Sequence, residues 1–131
     1  MTDDAIRVEL VAADRLVWSG DATRVIARTT EGDVGILPHH APLLSLMVDG
    51  VVDIQTTDGE TWVAAVDAGF LSVADNRVSI LAERAEMSHE IDLERARQEL
   101  ERAKASGEND DAAQEAVRRA EARIRAVERA S

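Results

Sequence analysis

Four arginines in the last third of the chain have the spacing of an anion grip. Arg95 and Arg102 stand seven apart, and Arg119 and Arg123 stand four apart. On a helix these intervals return a side chain to one stripe. Asp92 shares the first stripe, three residues before Arg95. If two such helices fold against each other, four guanidinium groups can converge in one edge groove. A guanidinium is a planar fork that pairs bidentately with phosphate oxygens, so the chemistry on offer is the binding of a triphosphate. Without an anion the four charges repel one another, and a ligand could decide whether the helices close. The same residues also fit an exposed helix face laced with pairs such as Arg95–Glu99 and Glu115–Arg119. Spacing alone favours this second reading, because such charge patterns are common on solvated faces.

The other chemistry-bearing residues mostly exclude. Nucleophilic catalysis needs a nucleophile, a base and an orienting group. The histidines are His39, His40 and His89, and the adjacent pair lies between Pro38 and Pro42 in what reads as a surface loop. Adjacent side chains on an extended backbone point to opposite faces, which is poor geometry for one metal. No GxxxxGK[ST] or GxGxxG phosphate cradle occurs, and no Asp or Glu pair stands out as acid and base. There is no cysteine, which removes disulfide and thiol chemistry. The sequence therefore predicts a non-catalytic chain with no metal and no required cofactor.

Charge narrows the partners. The formal net charge of −11 argues against nucleic acid, whose phosphates would be repelled. No apolar run approaches the ~18–20 residues of a membrane span. The start, Met1-Thr2-Asp3-Asp4, is acidic and lacks the basic opening of a secretory signal. A soluble, cytoplasmic chain is expected unless a partner holds it at a membrane.

Two periods organise the elements that must position the arginines. From Ile6 to about Ala85 apolar residues alternate: Ile6, Val8, Leu10 and Ala12; Leu16 and Trp18; Val52 and Ile54; Trp62, Ala64 and Val66; Val78, Ile80 and Ala82. Alternation marks half-buried antiparallel strands. Ser19-Gly20, Glu31-Gly32, Asp49-Gly50, Asp58-Gly59 and Asp75-Asn76 read as turns between them. The only aromatics are Trp18, Trp62 and Phe70, so the core is aliphatic.

After Met87 the period becomes helical, with Leu93, Ala96, Leu100 and Ala103, then Ala113, Val117, Ala120, Ile124 and Val127. Ala105-Ser106-Gly107 breaks the pattern, and Asn109-Asp110 can cap a second helix. Two helices of about 16–18 residues, each ~25 Å long, are expected. Their seam is thin and Ala-rich, marginal by itself, so the hairpin should rest on the strands, on a partner or on a ligand. The fold class is mainly β plus α. An N-terminal antiparallel β-sandwich, or flattened barrel, over residues 1–87 precedes a C-terminal antiparallel two-helix hairpin over 88–131.

The stretch Glu31-Gly32-Asp33-Val34-Gly35-Ile36-Leu37-Pro38-His39-His40-Ala41-Pro42-Leu43 resembles the E-G-x-x-G-I-L-P-G-H-A-P-L signature of epsilon subunits of bacterial F-type ATP synthases. His39 stands where that family has glycine, which argues against a tight left-handed turn there. Gly69-Phe70-Leu71-Ser72-Val73 and Val78-Ser79-Ile80-Leu81-Ala82 are similar to two later strands of the family. Ile91-Asp92-Leu93-Glu94-Arg95-Ala96 matches the I/L-D-x-x-R-A motif of its ATP-binding members.

By this resemblance the nucleotide-binding residues are Glu86, Ile91, Asp92, Arg95, Ala96, Arg102, Arg119 and Arg123, with ATP as a regulatory ligand. The resemblance also implies a central-stalk subunit whose sandwich sits on the gamma subunit and on the ring of membrane subunits. It would couple proton-driven rotation to ATP synthesis, at the cytoplasmic face of the cell membrane and peripheral to it. Its tail, extended towards the catalytic alpha/beta head, would inhibit ATP hydrolysis; folded back, it would not. A stand-alone nucleotide-sensing module, needing no gamma partner, is the alternative.

Overall fold

The computed structural model describes residues 4–107 and 110–130. Met1, Thr2 and Asp3 of the acidic start, Asn109 of the expected cap, and Ser131 lie outside the described residues. Nine strands come first: β1 (Ile6–Ala12), β2 (Arg15–Thr29), β3 (Gly32–Ile36), β4 (Leu43–Met47), β5 (Gly50–Thr56), β6 (Thr61–Val66), β7 (Gly69–Ala74), β8 (Arg77–Ala82) and β9 (Ala85–Met87). A 3₁₀ turn at Ser88–Glu90 leads to α1 (Leu93–Ala105) and α2 (Asp111–Ala130).

The strands run in the order β1-β8-β7-β4-β2-β5-β6-β9, with β3 also on β2. Because β1 pairs with β2 as well as with β8, the sheet closes on itself into a flattened barrel. All pairings are antiparallel except β1–β8, which is parallel. Of the alternating set read from the sequence, Ile6, Val8, Leu10, Val52, Ile54, Val78 and Ile80 are buried in one cluster, joined there by Val25, Leu71 and Val73.

Three local expectations are corrected. Ser19-Gly20 is not a turn; it lies inside the long strand β2, and the chain reverses at Ala13-Asp14 instead. Gly20 is there for space, since a β-carbon would come within 2.9 Å of the Trp18 ring. Leu16 is exposed, so its alternation with half-buried Trp18 does not mark a buried face. His39 does adopt the left-handed turn, at φ 66°. Its N–H donates to Asn76 Oδ1 at 2.7 Å, while Asn76 Nδ2 donates to Ala5 O at 2.8 Å. One asparagine thus ties three segments together and offsets the cost of an L residue in that region.

The other turns follow their chemistry. Asp75 and Asn76, at φ 52° and 59°, form the two-residue reversal between β7 and β8. Gly69 is required for a different reason: a β-carbon would lie 1.9 Å from Leu81 O on the neighbouring strand. The backbones of β7 and β8 meet there too closely for any side chain.

The helices also differ from expectation in length, at 13 and 20 residues. Asp92 starts α1 by accepting from Arg95 N–H at 3.1 Å, and Ser106 and Gly107 (φ 109°) end it. Asp110 Oδ1 accepts from Ala112 N–H at 2.9 Å at the head of α2. Buried positions between the helices are alanines, namely Ala96, Ala103, Ala113 and Ala120. Leu93, Leu100, Val117, Ile124 and Val127 are only half-buried.

The hairpin rests on the sheet. In α2, Ala122 and Ala126 pack on Val51 of β5 and on Val63 and Ala65 of β6, with Ile91 alongside. These three strand residues alternate with the interior set and face outward. Without α2 they would be exposed to water.

Candidate functional site

Docking α2 across β5, β6 and β9 creates a cleft of 530 Å³ between the hairpin and the sheet. Arg102 enters it from α1, Arg119 and Arg123 from α2, and Glu86 from β9. Each position follows from the local fold. Arg119 and Arg123 are one turn apart, next to the buried alanines Ala120 and Ala122. Glu86 is the outward residue of a strand whose neighbours Ala85 and Met87 point into the core.

Arg123 is the hub. Its Nε donates to Glu86 Oε1 at 2.8 Å, and its Nη1 lies 3.4 Å from Glu99 Oε2 on α1. One guanidinium therefore joins the sheet and both helices. Burial works to lower its pKa, but the Glu86 hydrogen bond and the charges of Glu86, Glu99 and Asp67 outweigh this, leaving it above the ordinary arginine value. Arg119 pairs with Glu115 at 3.6 Å. Arg102 makes no ion pair among the described residues.

The structure does not bring Arg95 into this cleft. Its guanidinium is exposed and pairs with Glu99 Oε1 at 3.3 Å. Seven residues of helix put it ~10 Å along the axis from Arg102. It lines an adjoining hollow of 270 Å³ with Ile91, Asp92, Ala96, Glu86, Glu99 and Arg123. The eight expected residues thus divide between two connected spaces, which share Glu86, Glu99 and Arg123. Both expected i,i+4 pairs are present as well, so the charged-face reading and the groove coexist.

Two wall residues escaped the sequence reading, and a third was read only as a surface partner. Arg84, in the turn before β9, supplies the fourth guanidinium of the cleft. Its Nε lies 3.3 Å from Asp67 Oδ2, and Asp67 follows β6 on the cleft floor. Burial and the nearby Asp49 charge push the Asp67 carboxyl above the usual range, against the attraction of Arg84, Arg119 and Arg123. Glu99 is the third. No spacing rule reaches Arg84 or Asp67, which lie in connections between strands and meet the helices only after folding.

Other arginines of α2 bind the hairpin down. Arg129 Nη1 lies 2.7 Å from Asp53 Oδ2, and Arg118 Nε lies 3.9 Å from Asp49 Oδ2. With Arg123–Glu86 they form a row of three pairs between α2 and the sheet. Away from the hairpin, Leu44, Leu46, Phe70 and Leu81 are all at least half exposed. Leu46 faces Phe70 across β4–β7, and Phe70 faces Leu81 across β7–β8, so the four make one apolar patch. Among the described residues no three His, Cys, Asp or Glu side chains cluster as metal ligands, and no helix is long and apolar enough to cross a membrane.

Comparison with known proteins agrees with the architecture. Residues 5–88 match the family described as ATP synthase, Delta/Epsilon chain, beta-sandwich domain. The ATP synthase epsilon chain of Streptomyces avermitilis is 61% identical over 122 residues, spanning 93% of this chain and 94% of that one. The counterpart from Rhodococcus jostii is 52% identical over 124 residues, spanning 94% and 96%. A chain in the cryo-EM structure of the Euglena gracilis mitochondrial ATP synthase (OSCP/F1/c-ring) superposes with TM-score 0.74 at 25% identity, covering 95% of this chain and 78% of that chain. The matches to the two relatives and to the solved structure span 93–95% of this chain and so extend past the sandwich into the hairpin. The chain belongs to the family of ATP synthase epsilon chains, central-stalk subunits of that complex.

Proposed function

We propose that this chain is a non-catalytic regulatory subunit whose hairpin is a nucleotide-responsive tail. In the docked form the arginine cleft holds ATP. In the undocked form the tail extends towards the catalytic alpha/beta head and inhibits ATP hydrolysis. The observation that carries this reading is the convergence of Arg102, Arg119 and Arg123, from two helices, with Glu86 from the sheet, on one cleft. Its 530 Å³ suits a nucleotide-sized ligand. The guanidiniums suit the phosphates, and the adjoining hollow, with Ile91 and Ala96 beside Asp92 and Glu86, offers apolar contact and carboxylate acceptors to a base. A ligand that bridges both helices and the sheet binds only the docked form, so it shifts the tail towards docking by that differential affinity.

The sandwich, residues 1–87, is the fixed base against which the tail moves, and it docks on the gamma subunit and the ring of membrane subunits. The patch of Leu44, Leu46, Phe70 and Leu81 supports such a partner surface, because an apolar group of this extent is unfavourable in water. Residues 88–131 are the movable unit. In this role the chain couples proton-driven rotation to ATP synthesis from the cytoplasmic face of the membrane, held there by its partners.

Calorimetric titration with ATP, with ADP and GTP as controls, tests the cleft. Saturable ATP binding that is lost in Arg119→Ala/Arg123→Ala is the expected result. No binding up to millimolar ATP would return those arginines to a purely structural role. Capture by gamma and the ring subunits, weakened by Phe70→Asp, tests the docking surface and separates this reading from a free-standing nucleotide sensor.

A further inference from the structure

The cleft under the hairpin is lined by equal numbers of opposite charges. Arg84, Arg102, Arg119 and Arg123 face Asp67, Glu86, Glu99 and Asp110. A polyphosphate entering it therefore meets no net positive charge unless one carboxylate is neutralised. Glu86 and Glu99 are both engaged by Arg123, and Asp110 caps α2. Asp67 is placed differently. Its side chain is only 16% exposed, and its one ion-pair partner among the described residues, Arg84, is itself 69% exposed.

The groups facing Asp67 can be followed element by element. From the turn before β5 comes Asp49, a like charge, whose Oδ1 accepts from Ala68 N–H at 2.8 Å and whose Oδ2 faces Arg118 of α2. From the turn before β9 comes Arg84. From α2 come Arg119 and Arg123. From α1, Glu99 and Arg102 line the same cleft, as do Glu86 of β9 and Asp110 at the head of α2. At Asp67 burial and Asp49 thus work against the charged carboxylate and outweigh three arginines that favour it, two of which are the anion-binding pair.

We propose that Asp67 is the proton-linked residue of this cleft: a polyphosphate that engages Arg119 and Arg123 across the cleft neutralises the positive charge they present to Asp67, and the carboxyl takes up a proton from solvent as the anion settles. The inference rests on the nucleotide reading of the cleft and gives that site its regulation. Both parts of the exchange act in one direction, since the anion adds a like charge and neutralises two opposite ones. Burial already pushes this carboxyl above the usual aspartate range, in the same direction as the anion would. By linkage the reverse also holds, and lowering the pH tightens binding. The tail would then respond to nucleotide and to pH through one site.

The test is calorimetric titration of the full chain with ATP, in two buffers of different ionisation enthalpy, from about pH 6 to 8. Wild type and Asp67→Asn are compared, so the titration of ATP itself cancels. The expected result is greater proton uptake per ATP in the wild type, together with several-fold tighter binding by Asp67→Asn at the alkaline end. Equal proton uptake in the two proteins, with ATP bound, overturns the proton linkage and leaves the nucleotide reading standing. Absence of ATP binding to both proteins at every pH overturns both. Should Asp67→Asn fail to fold, the Asp67 carboxyl ¹³C shift in the wild type reads the same step. Its midpoint should move up on adding ATP, and an unmoved midpoint in the bound protein overturns the inference.

Discussion

Replacing Ala126 by leucine isolates the force that holds the tail. Ala126 is fully buried, and with Ala122 it lets the backbone of α2 come close to Val51, Val63 and Ala65. Two alanine methyls contribute roughly 0.8 kcal/mol each, and covering two valines roughly 1.5–3 kcal/mol each. The seam thus supplies on the order of 5–8 kcal/mol gross, before the ordering of the helices is set against it. Leucine adds three carbons where there is no room, an overpacking cost of about 1–3 kcal/mol. That raises the undocked population by about 5- to 150-fold, at 1.4 kcal/mol per tenfold. Hydrogen exchange read by mass spectrometry measures this directly. Amides of α2 should exchange faster by that factor, while those of β1 and β8, which pack in the other cluster, keep their protection. Unchanged protection of α2 would show that the alanine seam does not hold it. Loss of protection in α2, β1 and β8 together would refute the separate docking of the tail.

Three further outcomes check the remaining structural arguments. Gly69→Ala should destabilise the sandwich by about 2–4 kcal/mol, read as a lower urea midpoint, because its methyl would overlap Leu81 O. His39→Gly should raise stability by about 0.5 kcal/mol in the same assay, since glycine relieves the left-handed strain while the Asn76 hydrogen bond to residue 39 persists. Asp67 has its folded pKa above its unfolded one, so its favourable contribution is complete below the unfolded value and is lost as pH rises through the folded one. Asp67→Asn should therefore be increasingly more stable than wild type as pH rises from about 4, and a constant difference in thermal midpoints across that range would contradict the assignment.

The barrel was legible because its physics is local. A period of two over Ile6–Leu10, Val52–Ile54 and Val78–Ile80 can bury only one face, and Asp75-Asn76 can reverse a chain without help from elsewhere. Ser19-Gly20 misled because glycine has two uses, and only the Trp18 ring beside it reveals that space was the one needed here. The dock for α2 did leave a trace in sequence. Val51-Val52 and Val63-Ala64-Ala65-Val66 break the alternation, as strands covered on both faces must.

The arginine stripes were likewise visible, since helical spacing alone puts Arg119 beside Arg123. Which charges meet them was not. Arg84 and Asp67 sit in connections, where no period governs side-chain direction, and they reach the cleft only because β6 and β9 are neighbours beneath α2. Nor could spacing separate Arg95 from the other three, because the outcome depends on how far α1 slides along α2, and alanine seams set that register. The barrel, the hairpin and the candidate anion-binding side chains each depend on a repeat or a motif a few residues long, and so could be read directly from the chain. The charge balance of the cleft could not, because like and unlike charges from separate segments come within reach of one another only when the hairpin docks.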